Sequence, residues 1–366
     1  MPKQAGRDEI IEFVGDTYGD NKIFKLPSKL SSYTPNNFVS SGLYCLNEIV
    51  SGDYKCFAPR GKIIELYGPE SVGKTTLALA CSKEVANEKQ RVLFCDAEHG
   101  LNPMYAAQMN INSEYFYFFQ PEDGEEAFTM SEKLLQKFDF DLYVLDSVGG
   151  IIPKAMLEGK YSESSMGSTA RLMAKAIKRL APLLAKRNTA AIFVNQLSSK
   201  IGGYGNPEET QGGRKLKYYL WVRIECRAPR GGKIIEKIAK GKIGDVQDES
   251  EDKEEKENKS GNEIGTTVNI KTVKNKLYAP YRKCSLKIIY GKGFDKKYDF
   301  LLYLNAKGII KWKKSRLNYK GKSYLVDKFL DKYKKDIKFK KQIRDEIDSK
   351  KDAPLIFTKQ KSEKDE

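Results

Sequence analysis

"KIIELYGPESVGKTTLALACSKEVANE", Lys62 to Glu88, is the stretch around which the rest of the chain can be arranged. Ile63–Tyr67 is an apolar run of strand length, and Thr75–Glu88 has the length of a helix. Between them, Gly68 to Thr76 matches the pattern G-x-x-x-x-G-K-[ST]. In a strand–loop–helix setting this pattern is a phosphate cradle. The glycines let backbone N–H groups close around phosphate oxygens, and the helix N-terminus favours an anion. Gly68, Pro69, Glu70, Ser71, Val72, Gly73, Lys74, Thr75 and Thr76 are therefore read as nucleotide-binding. Lys74 can reach the β and γ phosphates of a nucleoside triphosphate, and Thr75 can offer its hydroxyl to Mg²⁺.

Working outward, three more apolar runs follow: "RVLFCD", "DLYVLDS" and "AAIFVN". They alternate with helix-length segments and are apolar on both faces, which predicts a mainly parallel sheet covered by helices, an α/β fold. Two of these runs end in acids that suit phosphoryl transfer. Asp146 closes "DLYVLD", where a carboxylate would hold Mg²⁺ through water, and Glu98 follows "FCDA", where it could orient and deprotonate an attacking water. A helix cap is the plainer role for Asp146. His99 is the chain's single histidine and is read as structural. The third run ends in Asn195-Gln196 and opens into a loop with glycines at 202, 203, 205, 212 and 213.

With 366 residues the chain can hold one large core and small appendages. No apolar run is long enough to span a bilayer, and the start, "MPKQAGRDEIIEF", lacks the apolar centre of a secretory signal. Six cysteines without a CxxC pair point to buried free thiols and a reducing cytoplasm. The net charge of +16 suits a polyanionic partner, though an AT-rich coding composition gives the same lysine excess. Three regions are expected: an N-terminal segment, 1–37; a nucleotide-binding core, 38–294; and a basic C-terminal domain with tail, 295–366. Within the core, residues 244–263 are so charged that they read as a solvated insertion.

"GPESVGKTT", "DAEHGLNPMYA", "VLDSVGGIIPKAMLEG", "SMGSTARLMAKAIKRLA", "VNQ…GNPEETQGG" and "VKNKLYAP" follow one another in the order found in bacterial RecA recombinases. The resemblance runs from about Val39 to Gly293, roughly two-thirds of the chain. It implies a RecA-type core in which Glu98 is the catalytic base, Gln196 senses the γ-phosphate, Tyr105 stacks on adenine and Tyr290 lies near the base. Lys274 and Lys276 correspond to the lysines that reach the ATP of the neighbouring subunit in a helical filament, and segment 1–37 would correspond to the one that docks subunits, with 38–294 as the ATPase core. Two loops correspond to the family's single-strand-binding loops: residues 158–168, with Met166 and Gly167, and the segment after Gln196, with Ser198, Lys200, Ile201, Gly212 and Gly213. Arg171, Lys178, Lys200 and Arg214 would add charge for phosphates, with Met166 and Ile201 as apolar wedges. Single-stranded DNA, a homologous duplex, and loader or single-strand-binding proteins are the implied partners, with no membrane.

The sequence departs from the family pattern in places. Ser198 stands where arginine is usual and Asn102 where aspartate is, the second loop is one residue shorter, and the insertion at 244–263 is longer than its counterpart. The basic composition and divergent ends fit a bacteriophage-encoded relative, working in bacterial or infected-host cytoplasm. Residues 311–351 carry a net charge of +10, with interleaved aromatics. There Leu325, Phe329, Tyr333 and Ile337 lie four apart, predicting one helix face packed on a core, with outward lysines to gather duplex DNA. A ring helicase or branch-migration ATPase, and a nucleotide-switched DNA-coating protein with little turnover, remain as alternatives.

Overall fold

A computed structural model describes residues 35–158, 167–199, 208–237, 261–351, 353 and 355–356. The chain divides into two compact units, residues 1–37 and 38–366. Of the first, only a 3-10 turn, Pro35–Asn37, is described. All that follows concerns the second unit.

In it β1 (Phe38–Val39) and β2 (Ala58–Pro59) form an antiparallel ribbon around α1 (Tyr44–Ser51). Next come β3 (Ile63–Gly68), α2 (Lys74–Asn87), β4 (Val92–Asp96), α3 (Pro103–Gln108) and β5 (Phe116–Phe119). They are followed by α4 (Gly124–Lys137), β6 (Leu142–Asp146), α5 (Lys154–Glu158), α6 (Ser168–Arg187) and β7 (Ala190–Ser199). β8 (Glu208–Thr210), α7 (Gly213–Tyr219) and β9 (Leu220–Arg227) complete the alternation. An antiparallel extension is built from β10 (Lys233–Lys237), β11 (Gly261–Asn275), β12 (Lys283–Ile289) and β13 (Gly293–Phe294).

The main sheet runs β13-β12-β11-β9-β3-β7-β6-β4-β5, with β10 on β11 and β8 on β7. From β9 to β5 every neighbouring pair is parallel, so the mainly parallel core expected from the sequence is present. Alternate residues of each run feed opposite faces. Ile64, Leu66, Phe94, Val144 and Ile192 join one buried cluster, while Ile63, Leu93, Tyr143, Leu145 and Phe193 join the other. That double burial explains why these strands read as continuous apolar runs. Parallel order also brings the carboxyl ends of β3, β4, β6 and β7 to one edge, where open α/β sheets form ligand crevices. The chain order β3 to β4 skips over β7 and β6, which leaves a crevice at that edge.

After the sheet, α8 (Lys296–Ala306) packs on α1, and β14 (Lys311–Lys313), β15 (Arg316–Tyr319) and β16 (Lys322–Leu325) form a small antiparallel sheet. α9 (Val326–Lys335) and α10 (Ile337–Ser349) close the described chain. Tyr319, Phe329 and Phe339 are buried and meet edge to face. The single helix face predicted over 325–337 is interrupted. Asp336 ends α9 and caps α10, its carboxylate accepting from Phe339 N at 3.0 Å. Phe329 is therefore buried, while Leu325 and Ile337, at the two helix starts, are exposed. A buried ion pair, Lys307 with Glu48 at 2.7 Å, ties this region to α1, and the same ammonium donates to the carbonyls of Lys350, Lys351 and Ala353. All six cysteines are buried free thiols. Among the described residues no helix is long and apolar enough to cross a membrane.

Candidate functional site

The strand–loop–helix reading of Lys62–Glu88 places the cradle between β3 and α2. Gly73 sits at φ 92°, a left-handed conformation that frees the loop to turn into the helix, and it serves as the helix N-cap. A Cβ there would lie 2.3 Å from Ile288 Cδ1, so a side chain would also have to push that methyl aside. Lys74 is 8% exposed, and its ammonium donates to the carbonyls of Gly68 (3.0 Å) and Pro69 (2.6 Å). Burial holds that ammonium below the usual lysine value, with Glu98 and Asp146 among the charges acting against the shift.

A polar cleft of about 530 Å³ opens here, lined by Glu70, Ser71, Gly73, Lys74, Thr75, Thr76, Glu98, Asp146, Val194 and Gln196. Residues from the ends of β3, β6 and β7 and from the turn after β4 thus meet in one place. Gln196 Nε2 donates to Glu98 Oε1 at 2.7 Å, and Ser147 Oγ donates to the same oxygen. The Asp146–Ser147 peptide is cis. Asp146 is 5% exposed; burial, then the Glu98 and Asp96 carboxylates, raise it to about 7, while a hydrogen bond from Thr75 and the charge of Lys74 act the other way. A buried carboxylate so destabilised as an anion, beside a threonine hydroxyl and facing a polar cleft, is a donor set that suits a hard, oxygen-seeking cation.

Other expected residues fall around this centre. Tyr105, on α3, reaches the cleft wall through its hydroxyl, 3.4 Å from Thr76 Oγ1. Asn102 caps α3, its Oδ1 accepting from Met104 N and Tyr105 N, a task that asparagine and aspartate perform alike. Tyr290 is not among the residues that line the cleft, and its hydroxyl donates to Glu263 at 2.7 Å. Lys274 and Lys276 do not line their own chain's cleft. Lys274 Nζ donates to Lys217 O at 2.7 Å, and burial followed by the charges of Lys276 and Arg223 lowers its pKa. Lys276 lies 5.9 Å from the Trp221 ring centre. His99 Nε2 is 2.8 Å from Pro121 O, in keeping with a structural role.

Of the residues expected to touch DNA, Met166, Lys200 and Ile201 lie outside the described residues. Arg171 and Lys178 are exposed, seven apart on α6, and Arg214 is exposed on α7. Ser198 Oγ donates to Glu209 O at 3.1 Å across the β7–β8 pair. Gly167 caps α6 at φ 84°. Gly212 and Gly213 have φ values of 86° and 77°, and a Cβ on Gly212 would lie 2.8 Å from Val148 Cγ1. These glycines therefore let the returning loop pack closely at the start of α7.

Sequence reasoning missed several polar residues that hold the site. Asp96 accepts from Gly100 N, Leu101 N and Gln120 Nε2, which shapes the turn carrying Glu98. Ser147 was passed over although it directly follows Asp146. Glu65 and Asn195, polar positions inside apolar runs, were the available signals for a buried network.

A family model described as the RecA N-terminal domain matches residues 7–245. The chain is 42% identical over 245 residues to Protein RecA of Deinococcus radiodurans, covering 66% of this chain and 61% of that one. It is 37% identical over 302 residues to Protein RecA of Bacillus subtilis (82% of this chain, 78% of the relative). It is 34% identical over 351 residues to Protein RecA of Macrococcus caseolyticus (95% and 90%). The chain thus spans less than two-thirds of the length of the Deinococcus protein and most of the length of the other two. On these matches the chain belongs to the RecA family.

Proposed function

We propose that this protein is an ATP-dependent homologous recombinase: it assembles as a filament on single-stranded DNA, pairs that strand with a homologous duplex, and hydrolyses ATP faster when DNA is bound. The observation that carries the reading is the Gln196–Glu98 hydrogen bond, made from the carboxyl-terminal half of β7. The residue next to the candidate base lies on the strand that runs straight into the candidate DNA loop, so occupancy of the one bears on the other.

In this reading the amides of 68–76 and the Lys74 ammonium bind the phosphates. Thr75 and Asp146 would hold Mg²⁺, which supplies charge neutralisation in phosphoryl transfer. Glu98 orients the attacking water and takes its proton; Ser147 and Gln196 fix the carboxylate until the γ-phosphate competes for the Gln196 amide. Tyr105 packs against the base, and Lys274 and Lys276 serve the site of the adjacent copy. Arg171, Lys178, Arg214 and the loop at 196–213 face the DNA.

The test is strand exchange between circular single strands and homologous linear duplex. Wild type forms joint molecules with ATP; Gln196→Ala binds ATP but loses DNA-stimulated hydrolysis. Absence of joint molecules across nucleotide and salt conditions would remove the recombinase reading. Joint-free DNA binding with negligible turnover would favour the coating protein instead.

A further inference from the structure

Both ends of the candidate DNA loop are held by one buried polar group on the nucleotide-binding strand. Glu65 lies in the middle of β3 and is fully buried. Its Oε1 accepts from Asn195 Nδ2 at 2.8 Å, and its Oε2 accepts from Arg223 Nε. Arg223 is a β9 residue, and its Nη2 donates to Thr210 Oγ1 at 2.9 Å. Asn195 completes the ring: Nδ2 donates to Gln211 O at 2.9 Å, while Oδ1 accepts from Gln211 N (3.2 Å) and from Gln196 N (2.8 Å).

One amide side chain therefore holds the backbone at both the exit (Gln196) and the return (Gln211) of the loop. A single carboxylate fixes that amide and the guanidinium bonded to Thr210. Among the described residues no buried side-chain polar atom lacks a partner. A fully paired network in a low-dielectric interior is rigid, and removal of one member strands the others. Displacement of Thr210 and Gln211 is thus transmitted to the backbone of Gln196, whose side chain holds Glu98.

We infer that Glu65, acting through Asn195 and Arg223, is a positioning residue that converts capture of DNA by the 196–211 loop into placement of Gln196 at the γ-phosphate side of the cleft. The inference rests on the recombinase reading of that loop and of Gln196. Neither Glu65 nor Arg223 lines the nucleotide cleft, so nucleotide affinity separates coupling from binding.

The experiment measures ATP turnover with and without oligo(dT), affinity for a fluorescent ATP analogue, and thermal stability. It uses the full-length wild type, Gln196→Ala, Glu65→Gln and the double variant Glu65→Gln/Arg223→Met. Glu65→Gln keeps the acceptor for Asn195 but leaves Arg223 without its counter-charge. Its DNA-stimulated rate should fall by about tenfold or more, with unstimulated turnover and nucleotide affinity within about twofold of wild type. The double variant removes the stranded charge and should regain stability while stimulation stays low. Full stimulation in Glu65→Gln, or stimulation that returns together with stability in the double variant, overturns the inference and leaves Glu65 a structural residue. If Gln196→Ala keeps full stimulation, the reading of Gln196 fails and the inference falls with it. Loss in Gln196→Ala alone sinks only the inference.

Discussion

Burial and two nearby carboxylates push Asp146 up to about 7, against about 3.9 for an aspartate in an unfolded chain. The folded protein therefore binds the extra proton between those values. Stability contributed at this site is present below the lower value and is lost as pH rises through about 7. Without metal, Asp146→Asn should be more stable than wild type at pH 8, by an amount on the order of 4 kcal/mol, and the gain should vanish near pH 4. Urea unfolding in chelator across that range checks it; a pH-independent difference would contradict the account. If Asp146 holds Mg²⁺ as proposed, the same variant should gain less stability from Mg²⁺ with nucleotide than wild type does, because a neutral amide is a poorer ligand for a hard cation. That Lys74, Glu98, Asp146 and Gln196 would come together was legible in the sequence, because Lys74 stands in the phosphate-loop motif and the other three in or just beyond strand ends, and all four line one cleft. Ser147 and Asp96 were not, since their partners become adjacent only when the turn after β4 folds beside β6.

At the scale of elements, α1 begins without a cap of its own. Leu43 occupies the N-cap and supplies no side-chain hydrogen bond. The missing acceptor comes from 255 residues away, where the Asp299 carboxylate takes Tyr44 N at 2.6 Å and Cys45 N at 3.0 Å. Asp299→Ala would leave two N–H groups at a buried helix start without partners. The expected loss is about 3 kcal/mol of unfolding free energy, with nucleotide affinity unchanged at temperatures where the variant is folded. A loss below about 0.5 kcal/mol would show that water substitutes for the carboxylate. No local pattern reveals such a cap: "SGLYCLNE" lacks an acceptor at the right place, and Asp299 has the spacing of an ordinary residue within α8. The break at Asp336 is different. An aspartate three residues before Phe339 is a local N-cap signal, and the four-residue apolar spacing runs straight across it.

For the whole molecule, the placing of Lys274 and Lys276 outside their own chain's cleft bears on assembly. If they serve the adjacent copy, a Lys74→Ala protein and a Lys276→Ala protein should each turn over slowly yet complement one another. In an equal mixture roughly a quarter of head-to-tail interfaces would pair an intact cleft with an intact lysine. ATP turnover of the mixture should then exceed that of either variant alone. Strict additivity would mean that Lys276 acts within its own chain or not at all.

The apolar runs, the phosphate-loop spacing and the acids near the strand ends determined by themselves a mainly parallel α/β nucleotide-binding fold, and the order of the longer motifs carried its resemblance to the RecA family. They could do so because burial on two faces and a phosphate cradle each impose a local signature. Only the tertiary structure decided what holds those parts in register: Glu65 joining Asn195 to Arg223, Asp299 capping α1, and Ser147 and Gln196 sharing one oxygen of Glu98. These bonds link residues 49 to 255 positions apart. The energy of a buried hydrogen bond depends on which group lies across it, and the sequence of either partner alone does not contain that information.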